Sequence, residues 1–181
     1  MHARANLFDV PHEDRVVAVT KLLLRHDLAC QRVIFDGRVA EALERRLQAE
    51  GRALDVFVQV NSSGESSKYG LPPEEVAAFL QAMWAFSALR VRGFMTLALL
   101  SADAARVRQC FVQLRELRDR LRLEAPDGIE LDELSMGMSG DYEIAIEEGA
   151  TIVRVGQAIY GARSTPDTYY WPAAGAEESR P

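Results

Sequence analysis

Short apolar runs alternating with amphipathic stretches constrain this chain more than any other feature of its sequence. The runs lie at Val16–Thr20, Leu54–Val60, Arg90–Leu97, Leu131–Leu134 and Thr151–Val155. Several are too apolar for a strand with one face in water, so they read as strands covered on both faces, as in parallel sheets. Between them apolar residues recur at helical spacing: Val39, Leu43 and Leu47; then Val76, Phe79, Leu80 and Met83; then Val107, Cys110, Phe111, Leu114, Leu117 and Leu121. Helix-start signals stand in front of these patterns. Pro72-Pro73 with Glu74-Glu75 opens the second helix, Ser101 followed by Asp103 the third, and Asp141 with Glu143 a fourth. Strand-then-helix repetition predicts parallel βα units. A doubly wound sheet stays open as an alternative, although no GxGxxG fingerprint follows the first strand to support a dinucleotide-binding version.

The 181 residues, 48% of them hydrophobic, suffice for one sizeable core, which predicts a single domain over residues 1–163 and a surface tail over 164–181. The tail mixes prolines with small and acidic residues, and its Tyr169-Tyr170-Trp171 cluster is expected to dock onto the domain, with a partner surface as the alternative. The net charge is −6 and the basic residues form no stripe, so nucleic acid is not an expected partner. No apolar run reaches the roughly 18 to 20 residues that cross a bilayer, and no basic-then-apolar leader opens the chain. The expected location is therefore the cytoplasm, with no membrane partner. Cys30 and Cys110 have no CxxC spacing and read as reduced thiols, Cys110 on the apolar face of its helix. His2, His12 and His26 show no ligand spacing, and no metal is predicted.

Three segments carry chemistry, each placed after a strand and rich in small hydrogen-bonding residues, where α/β enzymes build their sites. The first is the polar loop from Gln59 to Gly70, which contains Lys68. The second, Leu134 to Asp141, runs from a strand towards a helix through Ser135-Met136-Gly137-Met138-Ser139-Gly140, a turn that offers backbone N–H groups and hydroxyls to an anion. The third, Val153 to Gly161, sets Arg154 on a strand and Gly156 just beyond it, where backbone can approach a ligand closely. The side chains of Met95, Met136 and Met138 read as apolar packing near the strand ends.

In this order the segments closely resemble the family of pyridoxal 5′-phosphate (PLP)-binding proteins that act in PLP homeostasis. The family patterns QVNxSxExxKxG, GxMT, LSMGMSxDxExAI and VRxGxAIFGxR stand here as Gln59–Gly70, Gly93–Thr96, Leu134–Ile146 and Val153–Arg163. The resemblance implies an α/β fold, a parallel (β/α) TIM-type barrel of the alanine racemase N-terminal kind. It implies PLP as cofactor, with the phosphate against Ser135, Met136, Gly137 and Ser139 of the SMGMS turn and against Gly156 and Gln157. Arg154 then faces the pyridine nitrogen. An arginine keeps its proton, so such a ring nitrogen accepts a hydrogen bond without being protonated, which favours holding PLP over demanding carbanion chemistry.

The family lysine that forms the Schiff base ends the first barrel strand in a VAVTK-type run, matched by Val17–Lys21. Burial there would lower a lysine pKa and leave a nucleophilic fraction. Only Lys21 and Lys68 are available in the whole chain, and Lys68 already fills the loop motif. Beyond Lys21 the sequence departs from the family and passes through Leu22–Gln31 to Val33–Glu41. A second alignment therefore sets Lys21 against a later family lysine. Either way the expected barrel is incomplete at its N-terminal end. The expected function is intracellular PLP homeostasis without catalytic turnover, with PLP-dependent client enzymes as partners. A fold-type III enzyme such as an amino-acid racemase, and a remnant that binds PLP weakly or not at all, are the alternatives.

Overall fold

In the computed structural model, residues 33–34, 36–65 and 68–161 are described. The expected strand at Val16–Thr20, together with Lys21, Cys30, the three histidines and the tail from residue 164, lies outside them. Five strands form one parallel sheet in the order β1-β2-β3-β4-β5. They are β1 (Val33–Ile34), β2 (Leu54–Gln59), β3 (Leu89–Met95), β4 (Glu133–Met138) and β5 (Ile152–Arg154). The helices between and after them are α1 (Gly37–Glu50), α2 (Val76–Met83), α3 (Ala104–Leu121), α4 (Tyr142–Glu147) and α5 (Gln157–Tyr160). Each strand pairs with its successor in the chain. A doubly wound sheet reverses its order at a switch point, whereas a βα barrel does not. The doubly wound alternative is thereby excluded, and right-handed crossovers lay the helices along one face of the sheet.

Helix boundaries follow local chemistry. Asp36 caps α1, its carboxylate accepting from the Val39 N–H at 2.8 Å, and Gly51 ends the helix at φ 63°. Asp103 caps α3 by accepting from the Ala105 and Arg106 N–H groups at 3.0 and 3.3 Å, while Ser101 Oγ accepts from the Asp103 N–H at 3.0 Å. The Pro72–Glu75 signal opens a turn rather than the helix itself, since α2 starts at Val76 without a side-chain cap. Asp141 does stand at the start of α4 but caps nothing there, because its Oδ1 accepts from the Met138 N–H at 2.6 Å.

The expected helix stripes are the buried ones: Val39, Leu43 and Leu47 of α1, Val76, Leu80 and Met83 of α2, and all six of the α3 residues, Cys110 included. Phe79 of the α2 stripe is only partly buried. Apart from Cys110, the buried stripe residues meet Val56 and Val58 of β2, Val91 of β3 and Leu134 and Met136 of β4 in one apolar cluster. Each large side chain taken fully out of water contributes about 1.5–3 kcal/mol. Phe57 and Met95 are also buried but stand outside that cluster. Alternation along a strand therefore sends one set of side chains to the helices and the other to the opposite face.

Two glycines let backbones approach where a side chain has no room. At Gly93, paired with Glu133, an added Cβ would sit 1.8 Å from the Glu133 carbonyl oxygen. At Gly137, φ is 94° and a Cβ would lie 2.6 Å from that of Ala145 and 3.0 Å from the Tyr142 Cα. The β4–β5 register shifts between Ser135 and Met138, as a bulge around a left-handed glycine requires.

Candidate functional site

The carboxyl ends of β2 to β5 carry a polar constellation on the face turned away from the helices. Leu134 and Met136 point into the apolar cluster, so Ser135 between them points the other way, and Arg154 of β5 reaches it. The Arg154 Nη1 donates to the Ser135 carbonyl at 3.1 Å and to Ser135 Oγ at 2.6 Å, and Nη2 donates to the Thr96 carbonyl at 2.9 Å. Among the described residues its Nε–H makes no hydrogen bond. Burial pulls the guanidinium pKa below its ordinary value, and the nearby Asp141 carboxylate opposes that pull. The group remains a cation, held by three acceptors and still able to offer a donor to a ligand.

A second cluster lies at the ends of β4 and β5. Ser139 Oγ accepts from the Gly156 N–H at 3.2 Å and from the Ala158 N–H at 3.3 Å, tying the turn after β4 to the start of α5. Gln157, between them, is exposed. Two backbone donors converging on one oxygen form the kind of arrangement that receives an anion's oxygen.

The segment read as a turn from Ser135 to Ser139 is thus mostly strand. β4 continues to Met138 because its partner β5 pairs with Ser135 and again with Met138. Ser135 is fully buried beside Arg154 rather than among the donors at the strand end. Met136 is fully buried in the apolar cluster, and Gly137 is pressed against α4. Met138 is 42% exposed and does not pack as expected, whereas Met136 does and Met95 is buried outside the apolar cluster. Ser139, Gly156 and Gln157 do come together. Lys21 lies outside the described residues.

The Gln59–Gly70 loop is bonded to itself rather than extended into solvent. Asn61 Nδ2 donates to the Glu65 carbonyl at 2.9 Å, and Asn61 Oδ1 accepts from Ser63 Oγ at 3.1 Å and from the Gly64 N–H at 3.2 Å. Gln59 Nε2 donates to the Tyr69 carbonyl at 2.8 Å. Lys68 Nζ donates to the Ala98 carbonyl at 2.7 Å and pairs with Glu65 at 2.6 Å. That hydrogen bond, against the opposing effect of burial, holds the Glu65 carboxyl below its ordinary pKa. Ser62 and Thr96 lie in segments the sequence singles out, Gln59–Gly70 and Gly93–Thr96, but the sequence assigns neither a role of its own. Both are buried and their hydroxyls lie 2.8 Å apart. The available signal is Thr96 as the one hydroxyl within the apolar run Arg90–Leu97.

Among the described residues, a singly wound parallel sheet with flanking helices defines a domain of the (β/α)-barrel kind, incomplete at its N-terminal end, with the candidate cation-and-hydroxyl cluster at the carboxyl ends of its strands. Residues 14–164 match the family described as alanine racemase, N-terminal domain, and the chain belongs to that family. Among curated relatives, the pyridoxal phosphate homeostasis protein of Pseudomonas aeruginosa is 44% identical over 126 residues, 70% of this chain and 52% of that protein. The protein of the same name from Bos taurus is 38% identical over 162 residues, 86% of this chain and 59% of that protein. The chain spans about half the length of curated relatives it matches. The structure of PipY from Synechococcus elongatus with PLP bound superposes with a TM-score of 0.70 at 30% identity, covering 81% of this chain and 66% of PipY.

Proposed function

We propose that this chain binds PLP and serves intracellular PLP homeostasis in the cytoplasm, holding the cofactor for client enzymes without turning over a substrate. The observation that carries the reading is Arg154, a half-buried guanidinium fixed by Ser135 and Thr96 with its Nε–H unspent among the described residues. A neutral ring nitrogen is an acceptor of the chemistry this donor suits. The donor set at the other cluster suits the phosphate: the N–H groups of Gly156 and Ala158 already converge on one oxygen, and Gln157 lies exposed between them. Ser139 must turn or share these donors when an anion arrives. The relatives' names and the PLP in the PipY structure point to the same ligand.

PLP supplies an aldehyde that condenses with amines and a ring that withdraws electrons most strongly when its nitrogen is protonated. Arg154 cannot give up its proton at neutral pH, so it orients the ring without strengthening that withdrawal. Ser135 and Thr96 fix the arginine, Ser139 with Gly156 and Gln157 would hold the phosphate end, and Lys21 would supply the amine.

The test is to add PLP to the purified chain and to Lys21→Ala, following visible absorbance and the thermal midpoint. Wild-type protein should gain both a band and a raised midpoint, since a ligand that binds only the native state stabilises it. Lys21→Ala should lose the band and keep part of the shift. Wild-type protein showing neither change overturns the cofactor reading, and interconversion of alanine enantiomers overturns the non-catalytic one.

A further inference from the structure

We infer that Thr96 and Ser62 are positioning residues for Arg154, acting through a buried chain of hydroxyls that fixes the peptide to which the guanidinium is tied. The inference rests on the PLP reading only for its affinity measurement. Thr96 is completely buried, and its Oγ1 donates to the Val60 carbonyl at 2.8 Å. A threonine hydroxyl has one proton. With that proton given to Val60, the 2.8 Å contact between Ser62 Oγ and Thr96 Oγ1 has a single polarity: Ser62 donates and Thr96 accepts.

The chain therefore runs from Ser62 to Thr96 to the Val60 carbonyl and stitches the end of β2 to the end of β3. The main chain closes the same stitch. The Val60 N–H donates to the Met95 carbonyl at 2.9 Å, and the Thr96 N–H donates to the Ser135 carbonyl at 3.1 Å. Side chain and backbone together leave the Thr96 peptide little freedom, and its carbonyl is the acceptor for Arg154 Nη2 at 2.9 Å. The Ser135 carbonyl accepts from both the Thr96 N–H and Arg154 Nη1, so the two anchors of the guanidinium are locked to each other. A long side chain loses several rotameric degrees of freedom when ordered. A preset pair of acceptors decides in advance where its Nε edge points.

Thr96→Val keeps the shape and removes the hydroxyl; Thr96→Ser keeps the hydroxyl. The first readout needs no cofactor: the Arg154 Nε–H resonance in the ¹⁵N spectrum of the full chain, assigned by its loss in Arg154→Lys. Thr96→Val should broaden it or speed its exchange with water at least tenfold, and Thr96→Ser should restore it. The second readout is PLP affinity, expected to fall about tenfold in Thr96→Val but to be unchanged by the same substitution made in Arg154→Gln, because a residue acting through Arg154 has nothing left to position. An unchanged Nε–H signal in Thr96→Val, or an equal affinity loss with and without the arginine, overturns the inference. If Thr96→Val does not fold, Ser62→Ala, which removes the donor to the same chain, is held to the same outcomes. Wild-type protein that binds no PLP overturns the cofactor reading alone, and the resonance still decides the positioning role.

Discussion

Gly137→Ala tests whether the bulge within β4 is dictated by backbone conformation and by contact with α4 together. The residue sits at φ 94°, where an L side chain costs roughly 1–2 kcal/mol. Its new methyl would lie 2.6 Å from the Ala145 Cβ and 3.0 Å from the Tyr142 Cα, well inside the ~3.5–4.0 Å of ordinary carbon contacts. Overpacking of this kind costs about 1–3 kcal/mol. The two effects sum to about 2–5 kcal/mol, a large share of the ~5–15 kcal/mol that holds a domain together. Two other glycines separate the contributions. Gly51 has φ 63° and nothing within 4 Å of an added Cβ, so Gly51→Ala should cost about 1 kcal/mol by strain alone, partly offset by the stiffer unfolded chain. Gly140 has open space and no left-handed φ, and Gly140→Ala should be neutral within about 0.5 kcal/mol. Urea unfolding followed by circular dichroism reads all three, with midpoint shifts of about 1–2.5 M, under 1 M and none for a slope near ~2 kcal/mol/M. A Gly137→Ala midpoint equal to that of Gly140→Ala would refute the placement of β4 against α4.

Arg154→Gln should weaken PLP binding by about 10- to 100-fold in absorbance titrations, because the charged donor and its three protein contacts go together; full affinity would remove Arg154 from the site. Glu44, 6% exposed, accepts from the Ala88 N–H with both oxygens at 3.1 and 3.0 Å and from Ser87 Oγ at 3.2 Å. Glu44→Ala leaves that N–H buried without its acceptor and should cost about 1–3 kcal/mol in chemical denaturation, while a loss under 0.5 kcal/mol would show that water replaces the carboxylate. Glu148 accepts from Arg108 at 2.7 Å and also pairs with Arg115. Chiefly the Arg108 hydrogen bond, then that of Arg115, outweigh burial and lower its pKa from the ordinary 4.5. A carboxyl with a depressed folded pKa stabilises above its unfolded value and loses that contribution as pH falls through the folded one. Below about pH 4.5 the wild-type midpoint should therefore fall more steeply than that of Glu148→Gln; parallel curves would show the ion pair contributing nothing.

Much of the architecture is legible in the sequence because period and capping are local properties. The stripes of α1 and α3 and the Asp103 cap need only the 3.6-residue repeat and a side chain that reaches two or three residues ahead. β1 was not legible, since two residues, Val33–Ile34, carry no periodicity and become a strand only by pairing with Phe57 and Val58. The sequence places the end of β4 at Leu134 because serines and glycines follow, and those residues are also good turn formers. Pairing with β5 on both sides of a bulge overrides that local preference.

The same division runs through the site. The motif segments, their order and the resemblance they carry are properties of the chain as written, and they name Lys21, Ser135, Met136, Gly137, Ser139, Arg154, Gly156 and Gln157 as candidates. The sequence could not show that Arg154 is tied to Thr96, 58 positions away, or that Ser135 serves the arginine rather than the strand end. Nor could it show that the Ser139 hydroxyl gathers the N–H groups of Gly156 and Ala158. Those contacts exist only once parallel pairing sets β3, β4 and β5 side by side in register. A shift of one residue would turn Ser135 into the apolar cluster and Leu134 towards the guanidinium, so tertiary registry decides which of the sequence's polar residues become a site.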